Sequence, residues 1–199
     1  MKRRISIIGL SFIVIIATFL YAHIDKMNPI YNQDIDTSQY MQLNGNEGKI
    51  TQRFVSVEDK LDGISIKCQV AGSLQDVEIE YLLVDLSNDK IVAEGVEKGI
   101  DIENSKFHWF EFATVDGCLG KEFEFVLDCK NTTDINTVTF SYEGDTEKNT
   151  QLEAGDTTIN GTLIFRTITQ RFDFETFCIL LVFILYIILF LKFLYQLFK

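Results

Sequence analysis

Ile64-Ser65-Ile66-Lys67-Cys68-Gln69-Val70 places an apolar side chain at every second position, the period of a strand whose neighbouring side chains point to opposite faces. The same period returns downstream, where Phe123, Phe125, Leu127 and Cys129 alternate with Glu122, Glu124 and Asp128. Val138, Phe140 and Tyr142 likewise alternate with Thr137, Thr139 and Ser141. Such stretches read as half-buried antiparallel strands. Val77, Ile79, Tyr81 and Leu83 begin in the same way against Glu78 and Glu80, then Leu82 and Val84 make the run apolar on both faces, as a more central strand requires. Further strand candidates are Ile50 to Ser56, Lys90 to Glu94, Lys106 to Ala113 and Thr162 to Ile168. Turn residues punctuate them at Asp62-Gly63, Ala71-Gly72, Ser87-Asn88-Asp89, Asp116-Gly117, Asn131 and Gly161. The pattern predicts a mainly β domain, an antiparallel jelly-roll sandwich of about eight strands.

Charge places this domain. All 29 Asp and Glu residues lie between Asp25 and Glu175, and only Lys2, Arg3, Arg4, Lys192 and Lys199 are charged outside that interval. Ile5 to Ala22 is free of charge and rich in Ile, Leu, Phe and Val, as is Thr176 to Leu191, which Phe193 to Phe198 extends past a snorkelling Lys192. Bases near a membrane helix resist translocation, so both ends are expected in the cytoplasm and the acidic middle outside. The expected order is a basic tip at 1–4, transmembrane helix 1 at 5–22 and a stalk or loop at 23–48. The extracellular sandwich follows at 49–170, then a juxtamembrane link at 171–175 and transmembrane helix 2 at 176–198. A basic start, an apolar run and the small Ala22 also describe a cleavable signal peptide; Leu20 at the cleavage site and the length of the run weigh against it.

The catalytic vocabulary is thin. His23 and His108 are the only histidines, too few for a confident zinc site or triad, and none of the G-x-S-x-G, P-loop, dinucleotide-binding or C-x-x-C motifs occurs. A carboxylate pair for glycoside hydrolysis remains a minority reading, because most acids alternate with core residues in the manner of a solvated face. Asp34 with Asp36, or Asp85 with Asp89, could join a structural calcium site, though without EF-hand spacing. Acidic strand faces repel a phosphate backbone, so nucleic acid is not expected as a partner. Cys178 falls within the second apolar run, Cys118 in a turn, and Cys68 and Cys129 on the apolar phase of their strands, as core hydrophobes or a sheet-bridging disulfide. Asn131-Thr132-Thr133 and Asn160-Gly161-Thr162 match the N-glycosylation pattern.

Ile50 to Ser56, Leu61 to Ile66, Val77 to Leu86, Phe107 to Phe112, Gly120 to Phe125 and Gly161 to Phe165 together resemble a known module. It is the jelly-roll, galactose-binding-like β-sandwich of bacterial cell-envelope membrane proteins, found beside glycosyltransferases and polysaccharide-assembly proteins. The likeness covers about 49 to 168 and neither anchor. The chain lacks a multi-helix transferase portion, so any transferase activity would belong to a partner. The resemblance implies a non-enzymatic accessory or binding protein that recognises cell-surface polysaccharide or a membrane protein partner, with Trp109, Tyr31, Tyr40 or Tyr142 offering rings to sugar faces. For Trp109, a lone tryptophan in an apolar strand, a place in the core is the favoured reading. The alternative role is that of a structural subunit acting through its helices in a larger membrane complex.

Overall fold

The computed structural model describes residues 2–198, with side chains from residue 12 onward. Strands take 48% of the chain and helices 21%, so it is mainly β. It divides into two compact units, Met27–Thr169 and the pair of segments Met1–Lys26 and Gln170–Lys199.

The larger unit is built from two antiparallel sheets. In one, β3 (Ile50–Val55), β5 (Glu78–Asp85), β6 (Lys90–Lys98), β8 (Glu122–Lys130), β10 (Gln151–Ala154) and β11 (Thr157–Ile159) run in the order β11-β10-β3-β8-β5-β6. The other contains β1 (His23–Pro29), β2 (Met41–Asn44), β4 (Lys60–Ala71), β7 (Lys106–Asp116), β9 (Thr137–Glu143), β12 (Thr162–Leu163) and β13 (Phe165–Phe172). There β4 carries β7 along one edge, while along the other its first half pairs with β13 and its second half with β9. The chain through β12 and β13 wedges between β4 and β9 where they diverge: Ile164 donates to the Ser141 carbonyl and accepts from the Lys67 amide.

Alternation decides which faces meet. Ile64, Ile66 and Cys68 of β4, Phe110 of β7, Phe140 of β9 and Phe165 of β13 join Phe54, Ile79, Leu83, Phe123 and Phe125 of the opposite sheet in one core. Across the layers the ring centroids of Phe54 and Phe165 lie 5.5 Å apart, and those of Phe110 and Phe125 5.7 Å, within the range of favourable edge contacts. Two polar bolts cross the same gap. Gln52, 1% exposed on the inward phase of β3, accepts from the Leu163 amide at 2.9 Å and donates to the carbonyls of Arg53 and Gln151, so all of its hydrogen-bonding ends are engaged. The Tyr81 hydroxyl donates to the Glu111 carbonyl at 2.5 Å.

Several expectations need amendment. Residues 23–48, read as a stalk, hold β1, β2 and the short 3-10 turn Thr37–Gln39, so strands extend upstream of the expected start at 49. The short, polar hairpin of β10 and β11, which turns at Gly155 with φ 56°, was not expected from hydrophobic period. Asp62-Gly63, read as a turn, lies inside β4 at a bulge, because glycine there lets a neighbour approach the backbone.

In the smaller unit, α1 runs Lys2–Tyr21 and α2 runs Phe174–Leu197. Only α2 is long and apolar enough to cross a membrane among the described residues; its 24 residues reach about 36 Å at the helical rise, against a hydrocarbon core of about 30 Å. The expected first span at 5–22 is not shown: its described apolar part, Phe12–Tyr21, is too short, and the side chains of Ile5 to Ser11 lie outside the described residues. Asp173 caps α2, accepting from the Glu175 amide at 3.2 Å and the Thr176 hydroxyl at 2.6 Å. Phe19, His23, Phe172 and Phe177 form a chain of ring contacts at 4.8 to 5.6 Å.

Candidate functional site on the outer face of a sheet

The outward phase of β4 is Gly63, Ser65 and Lys67, and that of β7 is Phe107 and Trp109, because Ile64, Ile66 and Phe110 point into the core. Register then sets the neighbours. Arg166 of β13 stands beside Ser65, Ser65 beside Trp109, and Lys67 beside Phe107. The Arg166 guanidinium leans over the Phe107 ring, 3.8 Å from its centroid, and the Lys67 ammonium lies 6.0 Å from the same centroid. Both are cation–π distances.

The segment between β1 and β2 crosses this face. Ile30 donates its amide to the Phe165 carbonyl at 3.1 Å, and Tyr31 stacks on Phe107 at 6.2 Å while its hydroxyl accepts from Arg166 at 3.1 Å. The Asn32 amide donates to Glu143 at 3.0 Å, and the Asp36 carboxylate holds the following turn by accepting from the Ser38 amide at 2.8 Å. Tyr40 then lies 5.7 Å below the Lys67 ammonium. Burial first, then Tyr31 and Glu143, push the Tyr40 hydroxyl pKa up, against the opposing Arg166 charge. It therefore serves as a neutral hydroxyl.

Glu143 is the least comfortable group here. It is fully buried, and one of its carboxylate oxygens has no partner among the described residues, an arrangement that costs free energy while the group is charged. Burial pushes its pKa up, the Asn32 amide opposes that, and Glu147 and Asp145 add to the rise.

Of the four aromatic residues expected to touch ligand, the fold brings Tyr31, Tyr40 and Trp109 to this face. Tyr142 packs against the core on the other side of the sheet. Trp109 is half-buried rather than a core residue: its indole lies on Gly63, where an added Cβ would come within 1.9 Å of Nε1, and that N–H is buried without a partner among the described residues. Lys67, Phe107, Arg166 and Glu143 were not singled out from sequence. All four sit on the outward phase of alternating strands, but only the register shows that they converge.

Elsewhere, the chemistry is sparse. His108 Nε2 lies 3.5 Å from Glu97 Oε2, and a cavity of about 390 Å³ is lined by Ile91 to Glu94 of β6 with Phe112 and Ala113 of β7. Cys68 and Cys129 are free thiols facing the core from different sheets. Burial pushes both thiols up, Cys129 to about 12, and Cys118 to about 11, so none is a nucleophile at neutral pH. Asp85 is engaged by Ser87, Asn88 and Lys121. Among the described residues, no group of three His, Cys, Asp or Glu side chains is placed to hold a metal.

The chain matches no protein-family model and no curated protein.

Proposed function

We propose that this protein is a non-enzymatic, membrane-anchored accessory or binding protein of the cell envelope whose sandwich recognises glycan through the outer face of β4, β7 and β13. The observation that carries the reading is the convergence of Tyr31, Tyr40, Phe107 and Trp109 with Lys67 and Arg166 on one half-buried face. Aromatic planes beside polar donors are the chemistry that grips a sugar, apolar on its faces and hydroxylated at its rim. The jelly-roll reading is supported by pairing: β3 with β10, β4 with β9 and β5 with β8 form nested antiparallel pairs, with β6 and β7 innermost. Such nesting is what a long hairpin rolled into two layers would give. The two-pass arrangement, with the acidic domain outside and both ends in the cytoplasm, rests on the charge sorting together with the length of α2.

Full-length protein in detergent micelles, passed over immobilised envelope polysaccharides, tests this function. Retention on at least one polysaccharide, lost in Phe107→Ala, is expected; no retention on any would contradict it. The role of a structural subunit draws on the exposed apolar surface of α2. Exchange of α2 for an unrelated Leu-rich span should abolish function under that role and preserve it under glycan recognition.

A further inference from the structure

The central segment carries 13 bases against 29 acids, and several of its bases are paired, as Arg53 is with Glu124 and Lys60 with Asp116. Lys67 and Arg166 differ. Among the described residues Lys67 meets only the Tyr40 and Phe107 rings with its ammonium, and Arg166 meets Phe107, the Tyr31 hydroxyl and the Met27 sulfur. Neither has a carboxylate partner among the described residues. A guanidinium has five N–H donors and an ammonium three; with two of the Arg166 groups engaged, about six donors on two cations remain open beside one ring. Among the described residues the nearby acids Asp36 and Glu143 form no ion pair with either cation: Asp36 accepts from the Ser38 amide, and Glu143 accepts from the Asn32 amide with its second oxygen unpartnered.

Resting on the glycan reading above, we propose that the saccharide recognised by this face is anionic, and that its phosphate or carboxylate seats between Lys67 and Arg166. The forked guanidinium suits two oxygens of either group, and the ammonium adds a point charge. The aromatic neighbours hold both cations in place before the ligand arrives, which lowers the ordering cost of binding. Tyr40 and Trp109 flank the seat and take the sugar ring attached to the charged group. An acidic protein can bind an acidic polymer here because the match is local, and the repulsion from the rest of the surface is screened within about 8 Å at physiological ionic strength.

The test uses the full chain in neutral detergent with three probes: a poly(glycerol phosphate), a polygalacturonate and neutral dextran. The account expects saturable binding of at least one charged probe and weaker or no binding of dextran. Affinity for the charged probe should fall roughly tenfold or more in Lys67→Gln and in Arg166→Gln, and fall as sodium chloride rises. The two charged probes separate phosphate from carboxylate as the recognised group. Arg166→Lys, which keeps charge without the fork, should fall between wild type and Arg166→Gln. Because Arg166 also holds Tyr31, unchanged thermal unfolding of Lys67→Gln separates lost recognition from lost folding. Dextran bound as tightly as the charged probes, or affinity indifferent to Lys67→Gln and to salt, overturns the anionic assignment while leaving glycan recognition standing. No binding of any probe overturns both. Charged-probe binding that survives in both variants also overturns the seat.

Discussion

Gly63 shows how one residue shapes the outer face. A Cβ at that position would come within 1.9 Å of the Trp109 indole nitrogen, so Gly63→Ala must displace the indole or bend β4, and overpacking of this kind costs about 1–3 kcal/mol. Chemical denaturation should show that loss together with a red-shifted emission from Trp109, the one tryptophan in the chain. Glu143 yields a pH prediction. A carboxyl held above its ordinary pKa favours the folded state in its protonated form; that contribution is complete below the ordinary glutamate range and is lost as pH rises through the raised value. Glu143→Gln should therefore melt higher than wild type near pH 7, with the difference shrinking toward pH 4; a difference that grows on acidification would contradict the assignment. The three sandwich thiols, all held protonated by burial, should resist a maleimide in the native protein at pH 7.5 and react on unfolding.

At the scale of elements, Gln52 ties β3 to β12 from inside the core. Gln52→Leu keeps the volume apolar but leaves the Leu163 amide buried without an acceptor, a loss of roughly 2–4 kcal/mol when the abandoned carbonyls are included. Equilibrium unfolding in urea measures it, and a neutral result would mean the bolt is dispensable. The period of two marked β4, β5, β8 and β9 because their two faces meet different media, core and water. It did not mark β1 and β2, whose residues are mixed and which gain order by pairing with β13 and β9. Asp62-Gly63 carried a turn signal, but glycine also serves where another side chain lies on the strand. Trp109 sits in an apolar run, yet alternation with Phe110 turns it outward. Of the candidate face, Tyr31, Tyr40 and Trp109 were legible as residue types; the cations and Glu143 were hidden because cross-strand register is not local information.

For the whole molecule, the sorting of acids between two apolar ends supports the proposed orientation, and α2 is the one helix among the described residues long and apolar enough to span. Removing residues 174–198 separates one anchor from two: a truncated chain that still resists alkaline carbonate extraction is expected from the two-pass arrangement, whereas complete release would make α2 the sole anchor. The larger unit begins at Met27, so fragments that start after Asn44 lose β1 and β2 and should expose the outer face to proteolysis. The proposed recognition through that face can be read from Trp109, a reporter already in place. Titration of the full-length protein with an envelope polysaccharide that it retains should give a saturable change in Trp109 emission, its midpoint moved roughly tenfold or more toward weaker binding in Lys67→Gln. Binding that leaves the emission unchanged would place the glycan elsewhere and contradict the account.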